Sequence, residues 1–422
     1  MTIFRVLAAT TLVVALVVGP QLPARAAATF VVTTTTDLPG SSCGATCSLR
    51  QAIGAANAAG GSNVIVFDVN GAFALTSGAE LRVTGEPAQS LAINGNGRGN
   101  TVIDGGGATR VLRVEAGANV TVARATIRNG AIAGDGGGIA TSGPLTIDDA
   151  LFTGNRATLD GGAVINDVGP ATLTITNSTF TGNRAGRTAG AIRNRGTATL
   201  ASISVVDNHQ TGMAGRAGGG IASGFNTTLT LTGSTVAGNS ANGLGGSGGI
   251  ANQGTATLDN VRVASNRAVD HGGGIANAGQ MTLRNSAVAN NVVTGTSAAK
   301  DGGGITNYGH LTMTGTRIAG NVAGHDGGGL ANEFGATATI TGSTISGNRS
   351  GNSGGGIANQ LTFDSVAPSL TLTNSTVIGN SAASTGGGIF NPDGTVSLNG
   401  TAVVSNTPDN CSPPGSVPGC AG

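Results

Sequence analysis

Three successive stretches set acid and base side chains four and five residues ahead of an aliphatic: Asp270-His271 before Ile275, Lys300-Asp301 before Ile305 and His325-Asp326 before Leu330. Two of the four histidines, His271 and His325, and the only lysine fall in these stretches, with His310 nearby. Carboxylates beside a His or Lys can do general acid–base chemistry, and clustered carboxylates can hold a hard cation such as calcium. On this reading Asp270, Asp301 and Asp326 are the carboxylates, Lys300, His271 or His325 the base, and Asp301 with Asp326 the calcium ligands. A plainer reading stands beside it. Asp is a good turn residue before glycine, and Asp135 and Asp160 hold the same position in earlier stretches.

Those stretches belong to a unit that recurs ten times. Its clearest copy is Thr172 to Asn183, Thr-Leu-Thr-Ile-Thr-Asn-Ser-Thr-Phe-Thr-Gly-Asn. From an anchor such as Ile175, a large apolar residue follows at +5 (Phe180) and Asn at +8, the spacing being invariant in all ten copies. The asparagines are Asn155, Asn183, Asn208, Asn239, Asn266, Asn291, Asn321, Asn348, Asn380 and Asn406. A Gly-Gly-aliphatic block, as at Ile192, lies between copies and repeats every 25 to 32 residues, which is the period of a solenoid. Before the anchor, apolar residues at −2 and 0 alternate with Thr or Ser at −1, so aliphatics point inward and hydroxyls outward. Position +2 is always Asn, Asp, Gly or Ser, a turn. Three short strands and three turns per coil make a single-stranded, right-handed parallel β-helix, the hand following from the rule for parallel crossovers. About thirteen coils at ~4.8 Å each give a rod on the order of 60 Å long.

The ten asparagines read as a structural ladder, each amide donating to the next coil and satisfying its own turn. A second column follows the Gly-Gly block: Asn166, Asn194, Asn252, Asn277, Asn307, Asn332, Asn359 and Asn391, interrupted at Thr141 and Ser223. Insertions fall between these blocks, as expected for corner loops.

Residues 1–28 have the parts of a signal peptide: Arg5, an apolar run from Val6 to Val18, and Ala24-Arg25-Ala26 as cleavage site. Residues 29–62 read as a cap, with a strand from Thr29 to Thr34 and a helix N-capped by Ser48 that puts Leu49, Ile53 and Ala56 on one face. Irregular opening coils span 63–130, regular repeats 131–406 and a tail 407–422. Cys43 and Cys47 precede the repeats and Cys411 and Cys420 follow them, which in an oxidising compartment implies two short-range disulfides. Loss of Arg5 and Arg25 with the signal would leave 19 of the 21 basic residues against 20 acidic ones, so neither nucleic acid nor an anionic membrane is an implied partner. No later apolar run suits a membrane span, so the expectation is a monomer that is secreted or at the cell surface, needing no cofactor beyond calcium at the acidic edge. Trp is absent and Tyr occurs once, which counts against an aromatic glycan cleft.

The segment Cys47-Ser48-Leu49-Arg50-Gln51-Ala52 resembles the Cys-Ser-Leu-Arg-Glu-Ala signature of secreted bacterial β-helix proteins, with Gln51 in place of Glu. The pairing of Phe152-Thr-Gly-Asn155 with Gly161-Gly162-Ala163-Val164 is similar to the repeat of chlamydial polymorphic outer membrane proteins, within the pectin-lyase-like superfamily. These resemblances imply a parallel β-helix and an adhesin-like or structural role toward an extracellular glycan or a host or cell-surface partner. The superfamily's polysaccharide lyases and hydrolases imply the alternative, a pectate-lyase-like enzyme at the Asp270–Asp326 edge. Outward Thr-x-Thr-x-Thr runs such as Thr172 to Thr176 resemble ice-binding β-helices, although Asp148, Asp259 and Arg284 interrupt that face.

Overall fold

A computed structural model of the chain describes residues 27–86, 89–167, 171–213, 218–243, 245–296, 301–361 and 366–421. The signal segment, all but its last two residues, and Lys300 lie outside these. The described residues form a parallel β-solenoid: among them, sheets of 14, 13 and 13 strands run along the rod and a fourth of 10 strands spans Ala131 to Ala382, every pairing of successive coils being parallel. One coil shows the plan, with strands Thr172–Thr176, Thr179–Thr181, Arg184–Ala185 and Ile192–Asn194. Coils stack in register, so Leu173, Ile175, Phe180 and Ile192 sit over Ala198, Leu200, Val205 and Ile221 and line one continuous core. Phe152 and Phe180 stack within it, ring centroids 4.8 Å apart.

The fourth strand corrects the expected plan of three. Directly after each ladder Asn, two residues pair with the neighbouring coils, as Arg184–Ala185 does with Arg156–Ala157 and His209–Gln210. The second residue of the pair is a buried Ala in five coils (Ala157, Ala185, Ala241, Ala268, Ala323). Such a two-residue strand is too short to leave an alternation that a sequence scan can detect.

Turn chemistry explains the polar positions. All ten +2 residues, from Asp149 to Gly400, have φ between 47° and 59°, a left-handed conformation that Asn, Asp and Gly adopt most readily. The Gly-Gly block has two separate causes. Gly302 has φ +72°, whereas a Cβ on Gly303 would lie 2.4 Å from the Val322 carbonyl carbon of the next coil. Each ladder amide is fully used. Asn183 Oδ1 accepts from both the Nδ2 and the backbone N of Asn155 (2.9 and 3.1 Å), while Asn183 Nδ2 donates to Asn208 Oδ1 and to the Phe152 carbonyl. The chain of bonds ends on Asn410 after Asn406.

At the N-terminal end, β1 (Ala28–Val32) pairs with β2 (Gly61–Phe67), and α1 (Leu49–Ala59) buries Leu49, Ala52, Ile53, Ala55 and Ala56 against the end of the core. Ser48 and Gln51 form a capping box, a role that Gln fills as well as Glu. Cys43–Cys47 and Cys411–Cys420 are disulfide-bonded. No described helix is long and apolar enough to cross a membrane.

Candidate functional site

The residue four before each Gly-Gly aliphatic starts the tight turn into the strand that follows the Gly-Gly block, Ile192–Asn194 in the coil described above. At three of the four Asp in this position the carboxylate accepts the backbone N–H of the same position one coil on. Asp135 accepts from Asp160 N at 2.9 Å, Asp301 from Asp326 N at 2.9 Å and Asp326 from Ser353 N at 2.7 Å. The aspartates therefore join coils at the turn.

A second position faces this column. The residue three after a Gly-Gly aliphatic reaches back to the turn residue of the preceding coil: Arg195 to Asp160, Tyr308 to His271, Glu333 to Asp301 and Gln360 to Asp326. The sequence reading passed over this position. Its signal was available only in part: Asp167, Arg195, Tyr308, Glu333 and Gln360 stand where the other coils have Ser142, Gly224, Gln253, Ala278 and Pro392.

Asp301, His325 and Asp326 converge. One ligand atom from each lies within 4.8 Å of the others. His325 Nδ1 sits 3.2 Å from Asp301 Oδ1 and 3.1 Å from Asp326 Oδ2. Asp326 also accepts from Asn352 and Gln360. Asp301, Asp326 and Glu333 are 0%, 3% and 1% exposed, whereas the His325 side chain is 23% exposed. Asp301 Oδ2 and Glu333 Oε1 are buried without a hydrogen-bond partner, in carboxyls that face each other. Burial raises the Asp301 carboxyl above its ordinary range. Burial, followed by the Asp301 charge, pushes Glu333 well above.

Asp270 stands apart from that group. It lies five residues before its aliphatic rather than four, so His271 takes the column position. Asp270 Oδ2 accepts from Gly245 N and lies 3.2 Å from His271 Nε2, and His271 Nδ1 meets Tyr308 Oη at 2.8 Å. The Tyr308 ring packs edge-on against both His271 and Phe334. Asp–His–Tyr is a chain of groups along which a proton can pass. The expected single edge of three stacked aspartates is thus two adjacent groups, with Tyr308 added to one and Glu333 to the other.

The corresponding corner nearer the N-terminus is balanced. Asp160 is 2% exposed and is bonded by Arg187 at 2.8 Å and Arg195 at 2.7 Å, and Arg195 also reaches Asp135 and Asp167. Burial alone would raise Asp160, but its arginine hydrogen bonds outweigh it and hold the carboxyl at about 2. A cavity of about 500 Å³ beside this corner is lined by Arg193, Arg195, Thr197, Phe225 and Asn226 among others.

No protein-family model matches the chain, and no curated protein matches it. Solved structures do, among them two epimerase modules. The A-module of the Azotobacter vinelandii mannuronan C-5 epimerase AlgE4 aligns over 84% of this chain and 90% of its own, with 15% identity and a TM-score of 0.36. The A-module of epimerase AlgE6 from the same organism aligns over 87% and 94%, with 15% identity and a TM-score of 0.32. Likenesses at this level bear on neither the residues of the corner nor an activity.

Proposed function

We propose that the chain is a non-enzymatic β-helical rod working outside the cell in a structural or adhesin-like role. One observation carries this reading. The aspartates nominated for catalysis are 0% to 5% exposed, and each accepts a backbone N–H from an adjacent coil. Asp135 makes the same bond in the balanced corner, so the bond is a property of the turn. The two disulfides fit an oxidising compartment. The test is a panel of neutral and uronate-containing polysaccharides, monitored for unsaturated products, new reducing ends and changed composition. No turnover by the intact protein is expected, and turnover that Asp301→Asn abolishes would overturn the reading.

A second reading has its own support in the Asp270–His271–Tyr308 chain: proton abstraction from, or return to, a polysaccharide. There Tyr308 would meet the substrate and His271 would relay its proton. Turnover in the same panel that falls a hundredfold or so in Tyr308→Phe would establish it.

A further inference from the structure

We infer that Asp301, His325 and Asp326 form a binding site for one divalent transition-metal ion of the zinc class, which joins two successive coils at the corner. Three observations carry the inference. The ligand atoms are already gathered within 4.8 Å of one another, and they come from two coils, Asp301 from one and His325 with Asp326 from the next. Asp301 Oδ2 and Glu333 Oε1 are buried without a hydrogen-bond partner, so the group calls for a positive charge beyond what the protein's own donors supply. The charge arithmetic also closes. Two carboxylates and a neutral imidazole around a divalent ion leave no net charge among the ligands in a buried place.

The donor set decides which ion. Calcium takes six to eight oxygen ligands. Here the set is one imidazole nitrogen and two carboxylates, and Asp326 is already committed to the Asn352, Ser353 and Gln360 donors. Imidazole with carboxylate suits zinc and its neighbours, and three protein ligands leave a fourth position on the open, His325 side. The calcium expected from the paired aspartates is therefore replaced by a softer ion. Glu333, whose carboxyl faces Asp301 from the following coil, stands behind the ligands as a positioning residue.

The experiment titrates full-length, chelator-stripped protein with zinc chloride and, separately, calcium chloride, by calorimetry and thermal melting. One zinc ion per chain with a raised melting temperature is expected, and calcium at equal concentration should leave the melt unchanged. His325→Ala should weaken zinc binding about tenfold or more, whereas Glu333→Gln, which keeps a side chain of the same size facing Asp301, should retain it. His271→Ala and His209→Ala should bind as the wild type does. The stripped His325→Ala protein should melt within ~2 °C of stripped wild type, because that side chain is partly exposed. Failure of wild type to bind zinc, equal binding by His325→Ala, or loss of binding in His271→Ala instead would each overturn the assignment. These readouts are independent of any turnover of polysaccharide.

Discussion

Asp160 and Asp326 occupy the same place in their coils, four residues before the aliphatic of the Gly-Gly block, and both are almost fully buried. Asp160 sits among three arginines, two of them hydrogen-bonded to it, and is held at about 2. Asp326 lies among Asp301, Glu333 and the partly exposed His325, where two of the carboxyls are pushed upward. The backbone is alike in both corners. What differs is the set of facing side chains: Arg187, Arg193 and Arg195 around one, and Glu333 or Gln360 reaching back from the following coil in the other. A repeat protein can thus reverse the electrostatics of a corner by changing a few facing residues without altering the fold, because each coil contacts only its neighbours.

The largest expected effect breaks the balanced corner. Arg195→Glu puts a fourth carboxylate beside Asp135, Asp160 and Asp167 and should cost about 3–5 kcal/mol, seen as a marked fall in the thermal midpoint at pH 7. Asp160→Asn should cost roughly 2 kcal/mol at pH 7, the equivalent of moving a carboxyl from 3.8 to about 2. The sign follows from linkage. A carboxyl depressed by folding contributes stability above its unfolded value and loses it as the pH falls through its folded value. The gap between wild type and Asp160→Asn should therefore close between pH 4 and pH 2, and a gap that persists in acid would mean the arginines are not its cause.

The acidic corner should respond in the opposite sense. In chelator-stripped protein, Glu333→Gln should be more stable than wild type by about 1 kcal/mol at pH 8, since it removes a buried carboxyl whose ionised form is disfavoured. Raised carboxyls cost stability only above their unfolded values, so this gain should vanish near pH 4. A Glu333→Gln protein that is less stable at pH 8 would show that the corner is charge-balanced after all. Smallest is Tyr308→Phe, which removes one hydrogen bond to His271 while keeping the ring against Phe334, and should cost about 0.5–1.5 kcal/mol. A larger loss would give Tyr308 a share in the stability of the corner beyond that bond.

Much of the architecture was legible because the repeat is stated ten times. Alternation around Ile175 marked the inward residues, and Asn at +8 marked a polar column whose amides bond from coil to coil. The Ser48 cap and the apolar face of the helix were read from four-residue spacing, a local property. The two-residue strands were missed because two residues carry no period. In the corner, Asp301, His325 and Asp326 were visible as types, and their neighbourhood in space followed from stacking. Glu333, Tyr308 and Arg195 were not assigned to it, because each is 32 to 37 residues from the side chain it meets.

By itself, then, the sequence determined the rod: which residues face inward, where the chain turns, and which polar groups repeat. These are set by side-chain period and backbone preference, and both are local. The tertiary structure alone decided which side chain opposes which turn aspartate, and hence whether a buried carboxylate is neutralised by arginine or left among other acids. That outcome depends on packing between coils across corner loops of unequal length. Loop length moves a residue's sequence number without moving its place in the coil.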